Sequence, residues 1–194
     1  MKRVHNKAHI IAEGERLFRT QGYHNTGIND VLKACKIPKG SFYNYFVSKE
    51  DFAIQVVEFY GAYYKEQLEA SLEKKHLSPF ERLKLLYLVN TVEFYKSEGF
   101  TNGCLVGNLS TEVGGLSSML AETLATQFND WISYIAETIE EGQAKGVIVK
   151  KADPTQLAQY LHGNLFGALA QMKIERSIDP VVNAMETSLN CIKK

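Results

Sequence analysis

The chain has 194 residues, of which 45% are hydrophobic and 23% charged, and its formal net charge is zero. This is the mix of a folded globular chain and excludes collagen-like, low-complexity and disordered classes. No apolar run reaches the ~18 residues of a spanning helix, so no membrane segment is expected.

The zero charge hides an asymmetry. Residues 1–50 carry nine Lys/Arg and four Asp/Glu, a net of +5, and the remaining residues carry a net of −5. A basic head on an acidic body suggests a polyanion partner for the head alone. The N-terminus, Met1-Lys2-Arg3-Val4-His5-Asn6-Lys7, is basic without an apolar stretch behind it, so no signal peptide is expected. Cys35, Cys104 and Cys191 are odd in number and form no CxxC, which fits a reducing cytoplasm better than a disulfide framework.

The periodicity is helical throughout. Ile10, Ile11, Gly14, Leu17 and Phe18 form the first stripe, ended by Gly22. Ile28, Val31, Leu32 and Cys35 mark a short second helix, and Phe42, Tyr45 and Phe46 a short third. A wide aromatic stripe runs from Phe52 through Val56, Phe59, Tyr60, Tyr63 and Tyr64. Leu120, Leu124, Phe128, Trp131, Ile135 and Ile139 keep one long face apolar, and Val182, Met185, Leu189 and Ile192 close the chain. Helix starts are marked by Ser48-Lys49-Glu50-Asp51, by the capping box Ser78-Pro79-Phe80-Glu81, by Asp153-Pro154-Thr155-Gln156 and by Asp179-Pro180. Lys145-Gly146-Val147 reads as a helix stop. About nine helices follow, near 6–21, 28–35, 39–45, 49–74, 79–98, 103–112, 117–145, 154–173 and 180–193, and no stretch alternates as a strand. The fold class is all-α, with a head at 1–47 and a body at 48–194.

Two short helices joined by Lys36-Ile37-Pro38 have the length and spacing of a helix-turn-helix, whose second helix enters the major groove. That helix offers Phe42, Tyr45 and Phe46 to a core, and Lys39, Ser41, Tyr43 and Asn44 to phosphates or base edges. Gly40 leaves room for close backbone approach. Lys49 stands in the first turn of the fourth helix, where an outside anion would offset the unfavourable dipole.

Phe18-(x)3-Gly22-Tyr23-(x)2-Thr26-(x)3-Asp30-Val31 and Ile37-Pro38-Lys39-Gly40-Ser41-Phe42-Tyr43-Asn44-Tyr45-Phe46-(x)-Ser48-Lys49-Glu50 resemble the DNA-binding domain of the TetR/AcrR family of transcriptional regulators. The resemblance implies an all-helical homodimer that represses promoters at a palindromic operator and lets go when a small hydrophobic or aromatic molecule binds. Carried over by position, Thr26 and Tyr43 match phosphate contacts. Lys39, Gly40, Ser41, Asn44 and Tyr45 belong to the recognition helix, and Lys49 matches a phosphate clamp. Two positions depart from the family pattern: Lys36 stands at the usual turn glycine, and Pro38 at the usual serine cap. A left-handed backbone at Lys36 would cost up to about 1–2 kcal/mol.

In the body, Tyr60, Tyr63, Tyr64, Tyr87, Thr91, Phe94, Phe128 and Trp131, with Cys104 and Asn108, fit either a core or the aromatic walls and few polar groups of a cavity, and the resemblance implies that they line an effector cavity. Gly163-Asn164-Leu165-Phe166-Gly167 sets two glycines four apart. The resemblance implies that the last two helices pair with their copies, with Tyr160, Gly163, Asn164, Gly167, Met172 and Met185 near the contact. Because the fourth helix joins sensor to head, the signal is expected to run through it, with a tilt changing the spacing of the two recognition helices. Gly103 is read as opening helix 6, which puts Cys104 in its first turn, where a thiol's pKa can fall. This stretch resembles a subgroup of the family with a reactive cysteine, so the alternative trigger is a thiol- or electrophile-sensing repressor acting through Cys104. No GxSxG, HExxH, P-loop or dinucleotide motif occurs. Neither catalysis nor a cofactor or metal site is expected.

Overall fold

The computed structural model describes residues 6–115 and 117–194; the basic residues Lys2 and Arg3 lie outside them. The described residues form nine helices. They are α1 (Lys7–Asn25), α2 (Ile28–Cys35), α3 (Lys39–Tyr43), α4 (Lys49–Leu72), α5 (residues 79–97), α6 (Leu105–Val113), α7 (Ser118–Ala144), α8 (Pro154–Glu175) and α9 (Asp179–Ile192). Among them the β pairing is a single bridge, Ile148 with Lys193. Among the described residues no helix is long and apolar enough to cross a membrane.

Most starts follow the side chains read from sequence. Ser78 Oγ accepts from the Glu81 N–H while the Glu81 carboxylate accepts from the Ser78 N–H at 2.8 Å. The Asp153 carboxylate takes the N–H groups of Thr155 and Gln156 at α8, and Ser48 Oγ takes that of Asp51 at α4. At α9 the expectation shifts by one residue: Ile178 is the cap, Asp179 is the first helical residue, and its N–H goes to Ser177 Oγ. Gly146 ends α7 at φ 71°. Gly22, at φ 80° and ψ 171°, interrupts α1, so the regular helix stops where the sequence signalled. No sequence signal marks α5 as composite. It runs as α-helix over Pro79–Lys84, as π-helix over Leu85–Asn90 and as α-helix again over Thr91–Ser97.

The chain forms two compact units. One holds residues up to Ala62 with Cys104–Gln127, so α6 and the first part of α7 pack with α1–α3 and the first part of α4. This unit is larger than residues 1–47. Its core is a ring cluster: Phe52 lies 5.7 Å from Phe18, 5.3 Å from Phe42 and 4.8 Å from Phe46. All four rings are buried, each worth roughly 1.5–3 kcal/mol over exposure. Gly14 lets α1 and α4 approach, because a Cβ there would stand 2.2 Å from Phe52 Cζ.

The other unit holds Tyr63–Gly103 and Phe128–Lys194. Leu68, Leu72, Leu83, Leu86, Trp131, Ile135, Ile139, Leu161, Leu165, Val181 and Leu189 are buried in it. α8 and α9 form a helical hairpin, tied by a hydrogen bond from Asn164 Nδ2 to Ser188 Oγ at 3.1 Å.

Candidate nucleic-acid interface and sensor body

Residues 36–38 turn the chain sharply between α2 and α3. Lys36 is left-handed (φ 54°, ψ 45°), its N–H reaches Lys33 O at 3.2 Å, and the Ile37 N–H reaches Leu32 O at 3.0 Å. This is a Schellman close, with buried Ile37 supplying its apolar contact. α3 starts directly after Pro38 and has two faces. Phe42 is fully buried, while Lys39, Gly40, Tyr43 and Asn44 are exposed and Ser41 and Tyr45 half-buried. The Lys39 ammonium stands 5.8 Å from the centre of the Tyr43 ring. A Cβ on Gly40 would meet nothing within 4 Å, so that backbone is open to a close approach.

Lys49 is half-buried. Its ammonium donates to Tyr23 O at 2.6 Å and lies 4.1 Å from the centre of the Tyr23 ring. Burial pulls its pKa down, while Glu112 and Asp30 pull it up. Thr26 needs correction: it is fully buried, and its hydroxyl donates to Gly22 O at 2.7 Å. The short hydroxyl turns back onto its own loop instead of facing outward.

Cys104 also differs from expectation. It is the residue before α6, not in its first turn, and it is buried. Burial pushes the thiol pKa up; hydrogen bonds with Gly107, the Tyr60 side chain and Val106, and the charge of Arg19, pull it down by less. The sequence showed no nearby cation, but folding brings Arg19 close. Tyr60 is buried in the same unit, and Asn108 is half-buried on α6.

In the second unit, the Tyr64 and Trp131 rings are 4.5 Å apart. The Phe128 and Phe166 rings are 5.5 Å apart. Tyr87 is fully buried on the π segment and its hydroxyl has no hydrogen-bond partner among the described residues; burial pushes its pKa up. Thr91 Oγ1 donates to Leu86 O at 2.8 Å. Tyr63 is exposed, with the half-buried Phe94 ring at 6.5 Å.

On the α8–α9 hairpin, Tyr160, Gly163 and Gly167 are exposed and Asn164 is half-buried. Tyr160 and Asn164 line a groove with Gln171, Asn183 and Thr187. Met172 and Met185, expected near the contact, are fully buried within the protomer and so present no surface of their own to a second copy. Their apolar spacing was legible, but which face pointed inward was not.

Two family descriptions match the chain: "Bacterial regulatory proteins, tetR family" over residues 10–56 and "Tetracyclin repressor-like, C-terminal domain" over residues 79–188. The chain belongs to the TetR family of transcriptional regulators. Its relatives include the HTH-type transcriptional repressor DhaR of Mycobacterium sp. strain GP1, 33% identical over 93% of this chain and 89% of that protein. Among solved structures, regulatory protein TetR from Rhodobacter sphaeroides superposes with a TM-score of 0.89 at 32% identity, covering 94% of this chain and 96% of that one. The reduced form of E. coli NemR superposes with a TM-score of 0.80 at 30% identity, covering 95% of each chain.

Two residues of this TetR-family chain were missed from sequence. His162 is 1% exposed, and neither ring nitrogen has a hydrogen-bond partner among the described residues. It lies 4.8 Å from the Phe166 ring and within 6 Å of those of Tyr64, Phe128 and Trp131. Glu112 binds backbone N–H groups 88 and 89 residues away in sequence. The helical period put His162 one turn from Phe166 on α8, but nothing in the sequence pointed to its ring neighbours on α4 and α7 or to Glu112.

Proposed function

We propose that this TetR-family regulator binds a palindromic operator as a homodimer, seating α3 in the major groove, and is released by a small hydrophobic or aromatic effector. The observation that carries the reading is the division of α3: Phe42 is buried, while Lys39, Gly40, Tyr43 and Asn44 stand in solvent. Lys39, Tyr43 and Lys49 then serve phosphates, Ser41 and Asn44 read base edges, and Gly40 admits the backbone. Tyr45, half-buried, supports the helix from behind.

The effector is held by the rings of Tyr64, Phe128 and Trp131, with the unpartnered Tyr87 hydroxyl as a polar contact. Tyr63, Thr91 and Phe94 complete that set. Pairing uses the exposed face carrying Tyr160, Gly163, Asn164 and Gly167. The test is a gel shift of the full chain with DNA from upstream of its own coding region. Binding should fall steeply with salt; Lys39→Ala should weaken all duplexes and lower the salt slope by about one, while Asn44→Ala should change sequence preference. No shift at low salt would overturn the reading.

A second reading keeps the DNA binding and changes the trigger. Cys104, with Tyr60 and Asn108 in its unit, would sense an electrophile; the Tyr60 hydrogen bond and Arg19 favour it, while burial opposes it. Release by an alkylating agent should then vanish in Cys104→Ser.

A further inference from the structure

The DNA-reading head is gripped by a side chain far from it in sequence. Gly22 breaks α1, so the N–H groups of Tyr23 and His24 begin a new turn without an acceptor from the preceding helix. Glu112, in the last turn of α6, supplies it: its carboxylate accepts from Tyr23 N at 2.8 Å and from His24 N at 3.3 Å. Lys49 takes the other side of the same residue, donating to Tyr23 O at 2.6 Å. Tyr23 is therefore held by a carboxylate at its N–H and an ammonium at its C=O. The fit leaves no room for a side chain at residue 22, where a Cβ would stand 2.4 Å from Glu112 Oε1. The loop runs straight on into α2: the Thr26 N–H returns to Tyr23 O at 3.3 Å, and the Gly27 N–H goes to the Asp30 carboxylate at 2.8 Å.

We propose that Glu112 is a positioning residue for operator binding: it fixes the α1–α2 loop and the Lys49 ammonium in their DNA-reading geometry. The proposal rests on the DNA-binding reading above. Glu112 is a negative group, so it serves from behind and does not meet the phosphates. Without it, two amides lose their acceptor and Lys49 loses a nearby opposite charge. α6 is nine residues, roughly 13 Å long, and stiff. Its first end stands at Cys104, which hydrogen-bonds the Tyr60 side chain on α4.

The test uses the full chain with Glu112→Ala and Glu112→Gln, and a short duplex selected from a random pool by the unmodified chain. Three quantities are measured: affinity for that duplex, amide exchange at Tyr23 and His24, and the thermal midpoint. Glu112→Ala is expected to weaken binding about tenfold and speed exchange at both amides, with the midpoint little changed. Glu112→Gln keeps an acceptor oxygen and should recover most of the affinity. If Glu112→Ala does not fold, Glu112→Asp, one methylene shorter, should weaken binding at an unchanged midpoint. Parental affinity in Glu112→Ala with faster exchange at those amides overturns the proposal. Equal losses in Ala and Gln that track a falling midpoint also overturn it, because the role would then be structural alone. Failure of the unmodified chain to select any duplex would instead remove the DNA-binding reading.

Discussion

Lys36 shows how one side chain can oppose the backbone it occupies. Its left-handed conformation closes α2, and the cost of ~1–2 kcal/mol that a β-carbon carries there is tolerated because two hydrogen bonds and Ile37 hold the turn. Lys36→Gly relieves that cost but loosens the unfolded chain by ~0.4–1 kcal/mol. The net expectation is a gain of about 0.5–1 kcal/mol, read as a higher urea midpoint at unchanged slope. His162 makes the opposite case, a polar ring buried among aromatics. Burial drags its pKa from 6.5 down to about 4. The unfolded chain therefore binds the proton first, so stability is complete above the unfolded value and is lost as pH falls toward 4, by roughly 3 kcal/mol. His162→Phe should flatten the decline of the thermal midpoint across that window. Glu141 acts lower: Arg82, then Lys145, hold its carboxyl down to about 2, so its contribution fades only from ~4.5 downward.

At the scale of elements, Arg82 joins three helices of the second unit. It is 1% exposed on α5; Nη1 donates to Leu72 O at the end of α4 at 2.6 Å, and Nη2 pairs with Glu141 on α7. One guanidinium thus caps one helix and anchors another. Arg82→Ala leaves the Leu72 carbonyl without its donor and the partly exposed Glu141 carboxylate with only the exposed ammonium groups of Lys145 and Lys75. A loss of about 3 kcal/mol is expected in urea unfolding, while a loss under 1 kcal/mol would mean that water replaces the guanidinium freely. The caps of α5 and α8 were legible because each depends on residues two or three apart. Arg82 was not, because its partners lie 10 and 59 positions away.

For the whole molecule, the prediction concerns pairing. Gly163 and Gly167 face outward on α8, and a Cβ on either meets nothing within 4 Å. A large side chain there leaves the protomer intact and obstructs only a second copy. Gly167→Arg should therefore halve the mass seen by light scattering, keep the helical circular dichroism, and weaken operator binding because two half-sites are no longer read together. An unchanged mass would remove this face from the interface.

The sequence alone determined the helices, most of their starts and the two-faced α3, since capping and the 3.6-residue period are local properties. It also determined the family, since the motif from Phe18 to Glu50 is contiguous. Only the tertiary structure decided that Thr26, Met172 and Met185 turn inward, that Cys104 is a buried, pKa-raised thiol before α6, and that α5 widens into a π segment. It alone set His162 among four rings and brought Glu112 to the Tyr23 amide. Those outcomes depend on which face of a helix is covered and on partners distant in the chain, and a periodic pattern fixes neither.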